Sequence, residues 1–146
     1  GKFKIKLETR LLSLPEEQFL LLRLPMVFGR GSHRILSLKS AIENQQPIDV
    51  FPNIVINATH IRKLCMQVLF LINRDWSGIF HLGSTDLMHH NEFIAELCKV
   101  VHPQQPVFKR IYASNTDRYL ALLPKDRSLP QHLQLTCAEV IAASAD

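Results

Sequence analysis

Glycine and proline are scarce, five and eight in 146 residues, and neither recurs with a period, which excludes fibrous and low-complexity chains. Cysteine is limited to Cys65, Cys98 and Cys137, far apart and each inside an apolar run. Three such thiols carry no disulfide framework. They are expected to behave as small buried hydrophobes in a reducing, cytoplasmic setting. Long hydrophobic runs are missing too. The longest, Phe19 to Met26, is broken by Arg23 and falls short of the roughly 20 residues that a membrane span needs, so no membrane association is expected.

Several chemistries are absent in the same way. The one close histidine pair, His89-His90, is adjacent in sequence and cannot put both rings on one helix face; it reads as a loop ahead of a helix. With no Cys-x-x-Cys and no His-x-x-x-His, no metal site is expected. Neither Gly31-Ser32 nor Gly83-Ser84 continues into the Gly-x-Ser-x-Gly elbow of a serine hydrolase, and no glycine-rich phosphate loop occurs. The net charge of +4 comes from 17 basic residues scattered among acidic ones. Its densest group, Lys2, Lys4 and Lys6, points in different directions on a helix. A nucleic-acid partner is therefore not expected.

What is present is aliphatic: 47% of the residues are hydrophobic, enough for one domain with a real core. Phe3, Leu7, Leu11 and Leu14 predict an amphipathic helix up to Ser13, closed by Pro15. Gln18 to Leu24 reads as a strand buried on both faces, because Phe19-Leu20-Leu21-Leu22 shows no alternation. Pro25 to His33 reads as a loop, and Ile35, Leu38 and Ile42 mark a helix ending near Asn44. Short extended pieces follow at Ile48 to Phe51 and Ile54 to Ile56.

Asn57 or Thr59 is expected to cap the next helix, whose inward face would carry Ile61, Leu64, Cys65, Val68, Leu69 and Ile72. A strand at Gly78 to Gly83, a helix capped by Asn91, an extended Pro106 to Ile111 and a last helix from about Pro130 to Ala143 complete the order. There is no internal repeat. Helices and strands alternate as in an α/β protein with few strands and several helices, whose small sheet is expected to continue beyond these residues.

One segment stands out. Leu21 to Gly29 is a strand that runs into a loop at its carboxyl end, where open α/β sheets bind ligands. The residues alone leave an ordinary strand exit equally open. Arg23, Val27, Phe28 and Gly29 resemble the Arg-x-x-x-Val-Tyr-Gly signature of extended short-chain dehydrogenases/reductases, most closely the dTDP-4-dehydrorhamnose reductase branch. Phe51-Pro52-Asn53, Gly78-Ile79-Phe80-His81-Leu82-Gly83 and the stretch Pro124 to Leu129 resemble later landmarks of that family in the same order.

The resemblance implies a Rossmann-like fold, of which residues 1–146 would be a single substrate-binding-side fragment without the dinucleotide-binding part. Gly1-Lys2-Phe3-Lys4 would follow directly on the family's catalytic tyrosine, making Lys4 the lysine of Tyr-x-x-x-Lys. That lysine holds the cofactor ribose and, by its charge, lowers the tyrosine pKa. On the residues alone it is a solvent-facing lysine. Pro25, Met26 and Val27 would line the nicotinamide of NAD(P), and Arg30 and Asn53 would face a nucleotide-sugar substrate. NAD(P) is expected in the intact parent, with no tight binding to the fragment.

One position departs from the family. Its late arginine, which pairs with a substrate phosphate, aligns with Leu123, and Arg118 or Arg127 is left to replace it. Two readings follow. One is the substrate-binding part of an NAD(P)-dependent sugar-nucleotide reductase or epimerase, incomplete and inactive alone. The other is a non-catalytic regulatory or protein-binding module resembling the beta subunit of methionine adenosyltransferase. Exposed sheet edges also make self-association an expectation.

Overall fold

In a computed structural model that describes residues 1–112, 114–123 and 129–145, the chain alternates helices with short strands. Helix α1 (Lys2–Leu11) leads into β1 (Leu20–Arg23) and β2 (Met26–Phe28). Then come α2 (His33–Glu43), β3 (Ile48–Val50), β4 (Ile54–Ile56), β5 (Ala58–His60) and α3 (Ile61–Asn73). Strands β6 (Gly78–His81) and β7 (Met88–His89), helix α4 (His90–Val101), β8 (Phe108–Arg110), β9 (Arg118–Leu120) and α5 (Cys137–Ala143) complete the order. The mixed α/β class expected from the sequence is the one observed.

The expected loop after Leu24 contains a strand. Leu20 to Phe28 is one extended run interrupted at Leu24-Pro25, where proline offers no N–H to a ladder. Before the break the run pairs in parallel with β6, Leu20 to Gly78 through Arg23 to His81. After it the run pairs in parallel with β5, Met26 to Ala58 through Phe28 to His60. The pairing with β5 also answers why neither Asn57 nor Thr59 caps α3: both are taken into or against the sheet, and the helix starts at Ile61 behind His60.

Strand β2 separates two cores by its alternation. Met26 and Phe28 join the larger one, where Phe28 meets Phe93 with ring centroids 5.1 Å apart, among Ile35 and Ile42 of α2, Leu97 of α4 and Val140 of α5. Val27 points the other way, into a smaller core of Leu64, Leu71, Leu82, Leu129 and Leu133. The remaining strands form two small groups, β3 with β8 in parallel, and β4 flanked by β9 in parallel and β7 in antiparallel.

Helix α3 is turned from its expected orientation. It buries Leu64, Gln67 and Leu71, while Ile61, Cys65, Leu69 and Ile72 are exposed. Both of its sides are apolar, so periodicity could not select one. Gln67 faces inward, where its Nε2 donates to the carbonyl of Leu133 at 2.8 Å while its Oε1 has no hydrogen-bond partner among the described residues. Cys65 is thus no core residue, whereas Cys98 and Cys137 are buried and burial pushes both thiols up to about 11.

Two helix starts also differ. Helix α4 begins at His90, not after Asn91, because Met88 and His89 are paired with β4. The expected helix from Pro130 is a single 3-10 turn at Gln131–Leu133, and α5 restarts at Cys137 behind a Thr136/Glu139 capping box.

At Gly83 an added Cβ would come within 2.5 Å of Asn57 Nδ2 and 3.0 Å of the Pro25 ring. Gly83→Ala is expected to lower stability by about 1–3 kcal/mol, read from the urea midpoint at unchanged slope. A maleimide applied to the native protein should label Cys65 within minutes and leave Cys98 and Cys137 unlabelled until urea is added, with peptide mapping as the check.

Candidate functional site

The carboxyl ends of β1 and β6 lie side by side, with Arg23 in register with His81. Arg23 Nε donates to Glu8 Oε1 at 2.9 Å and a second guanidinium nitrogen pairs with the same oxygen. The pair ties α1 to the carboxyl end of β1. Lys4 lies one turn before Glu8 on α1. Its side chain is exposed.

On the other side of Arg23, Nη1 is 3.3 Å from His81 Nε2, and His81 Nδ1 donates to the Leu123 carbonyl at 3.2 Å. That tautomer leaves Nε2 as the acceptor for the guanidinium. A carboxylate, a guanidinium and an imidazole thus run in line across the strand ends. Arg23 and His81 border a cleft of about 390 Å³ that Glu16, Phe80, Leu82 and Leu129 also line.

Beyond Pro25 the chain is held by Asn57, which is 1% exposed. Its Nδ2 donates to the carbonyls of Leu122 at 2.9 Å and Ser84 at 3.3 Å, and its Oδ1 accepts the Leu122 N–H at 2.9 Å. Pro25, Asn57, Gly83 and Leu122, far apart in sequence, therefore meet at one place. Pro25, Met26 and Val27 are all half-buried there.

Asn53 is buried, and its Nδ2 donates to the carbonyls of Ser114 at 2.5 Å and Thr116 at 3.3 Å. Its own carbonyl accepts the N–H of Arg118 at 2.9 Å. The expected substrate contact is thus also the anchor of the loop that leads into β9. Arg118 stands next to it and is exposed. Arg30 is exposed in the turn after β2, and among the described residues no hydrogen bond joins it to Asn53 or Arg118. Pro124 and Arg127 lie outside the described residues.

The histidine pair dismissed as loop residues has a structural role that the sequence did not signal. His89 Nδ1 donates to the Pro52 carbonyl at 2.9 Å, while His90 Nδ1 accepts the Phe51 N–H at 3.3 Å. The two rings hold the turn between β3 and β4 with opposite proton arrangements. Burial, and next the positive charge of Arg34, holds the His90 pKa below its ordinary value. Among the described residues, no group of three or more His, Cys, Asp or Glu could hold a metal ion, and no helix is long and apolar enough to cross a membrane.

No protein-family profile and no curated protein matches the sequence. The fold does have matches: it is the Rossmann-like fold of the extended short-chain dehydrogenases/reductases, present in part. A dTDP-4-dehydrorhamnose reductase from Clostridium acetobutylicum superposes with a TM-score of 0.74 at 15% identity, over 97% of this chain and 52% of that one. The corresponding enzyme from Bacillus anthracis, in complex with NADP, gives 0.69 at 15% identity over 84% and 45%. UDP-glucuronic acid 4-epimerase from Bacillus cereus, in complex with NAD, gives 0.62 at 14% over 87% and 43%. The chain spans about half the length of the structures it matches.

Folding lowers the His90 pKa, so the folded state takes up this proton less readily than the unfolded chain, whose reference value is 6.5. The contribution is complete above that pH and is lost as pH falls below it, until the lowered folded value is passed. Urea unfolding at pH 7.5 and 5.5 should show lower stability at the acid value, and His90→Gln should reduce the difference between the two.

Proposed function

We propose that this chain is the substrate-binding side of an NAD(P)-dependent sugar-nucleotide reductase or epimerase. The observation that carries the proposal is the meeting of Pro25, Asn57, Gly83 and Leu122 at the exits of β1, β6 and β9, beside Arg23 and His81; Lys4, Met26, Val27, Arg30 and Asn53 are assigned to the site by the family resemblance. Ligands of open α/β sheets bind at the carboxyl ends of the strands. The fold likeness to enzymes solved with NADP or NAD supports the cofactor class.

The residues present fit one side of such a site. Lys4, exposed on α1, offers an ammonium suited to ribose hydroxyls and to holding a neighbouring phenol in its ionised form. Pro25, Met26 and Val27 supply a half-buried wall for a nicotinamide, and the cofactor, when bound, supplies hydride. Asn53 keeps its loop in place while Arg118, alongside it, offers an exposed guanidinium to a diphosphate in place of the arginine lost at Leu123. Arg30, exposed in the turn after β2, is assigned to the substrate side by the family resemblance. Hydride transfer in the enzymes this chain resembles needs a glycine-rich loop and the tyrosine of a Tyr-x-x-x-Lys motif, neither of which occurs within these 146 residues, so no turnover by this chain alone is proposed.

Calorimetric titration of dTDP, a dTDP-sugar and NADPH separates the parts of this reading. Heat of binding is expected for the nucleotide sugar and none for NADPH, with Arg118→Ala weakening the former about tenfold or more. Absence of nucleotide-sugar binding here and in a longer chain carrying the cofactor half would overturn the proposal.

A further inference from the structure

Away from the strand ends, α2 and α4 enclose a second cleft of about 310 Å³ over β2. Its floor is apolar, built from Met26 and Phe28 of β2, Ile48 of β3 and Ile94 of α4. Its polar edge is formed by His33, Arg34 and Ser37 in the first turns of α2 and by His90 in the first turn of α4. The size is at the lower end of ordinary small-molecule sites.

The charge of this cleft has one sign. No acidic residue lines it; the first turn of α2 contains none, and Glu92 in the first turn of α4 is not among the lining residues. The amino-terminal ends of two helices, of eleven and twelve residues, meet there, each carrying partial positive charge. Arg34 forms no ion pair among the described residues, and its charge reaches His90 across the cleft. His33 and Ser37 are by contrast occupied with each other, Ser37 Oγ lying 3.4 Å from His33 Nδ1. His90 gives its Nδ1 to Phe51. The guanidinium of Arg34 is thus a charged group without an ion-pair partner among the described residues, over an apolar floor.

We infer that the cleft between α2 and α4 binds a small organic anion, its flat apolar body on Met26, Phe28, Ile48 and Ile94 and its anionic group on Arg34. The apolar floor provides burial, and the guanidinium fixes orientation through charge-assisted hydrogen bonds. The site goes beyond the sugar-nucleotide reading and does not require it, because none of its residues other than Met26 belongs to the site proposed at the strand ends.

The probes are phenyl phosphate, benzoate and neutral benzyl alcohol, titrated into the full chain with methyl resonances of Met26, Ile48 and Ile94 followed by NMR. The two anions are expected to shift these methyl groups and to bind at least about tenfold more tightly than benzyl alcohol. Arg34→Gln should remove that preference and leave benzyl alcohol binding unchanged, and Arg34→Lys should restore part of it. Since Arg34 is exposed, neither variant should disturb folding, which the methyl spectrum of the free protein checks directly. Equal affinity for the neutral and anionic probes, shifts confined to residues outside the cleft, or no response at all overturns the inference. Loss of dTDP-sugar binding in Arg118→Ala with phenyl phosphate binding retained separates this site from the other one.

Discussion

The carboxamide of Asn57 is the point on which the arrangement of strands depends. It lies between β4 and β5, is shut off from water, and binds the backbone at Ser84 and on both sides of Leu122. A buried amide left without partners would be costly, so these bonds are made together or not at all. Gly83 has no side chain because that amide and the Pro25 ring occupy the space. The exit of β1, the exit of β6 and the segment after β9 are thereby brought to one place.

That convergence explains why the candidate site sits where it does. Pro25 interrupts hydrogen bonding between two successive partner strands, and the alternation of Met26, Val27 and Phe28 places one core on each side of the run. The Glu8–Arg23 pair ties α1 to the carboxyl end of β1. Arg23 was read as part of a family signature. In the fold it is the link between a helix, a strand and His81.

Much of the secondary structure was legible. Residues with clear helical period and an available cap, such as Ser32 through Ile42, formed the expected helix, with Ser32 Oγ accepting the Ile35 N–H. Errors fell where long-range pairing overrode a local signal. Asn57, Thr59 and Asn91 are good capping residues, yet two were taken up with the sheet and the third lies inside a helix that His90 had already begun. Helix α3 misled for another reason: an apolar residue on every side leaves orientation to whichever polar group can be partnered inward, and Gln67 found Leu133.

The sequence by itself determined the α/β class and the approximate positions of the helices, because these follow from local periodicity, proline placement and residue type. Tertiary structure alone decided which partner each half of the β1–β2 run takes, which side of α3 is buried, and that His89 and His90 clasp one turn from two directions. Those outcomes rest on hydrogen bonds between residues tens of positions apart. Their partners are chosen by geometry, which no local pattern records.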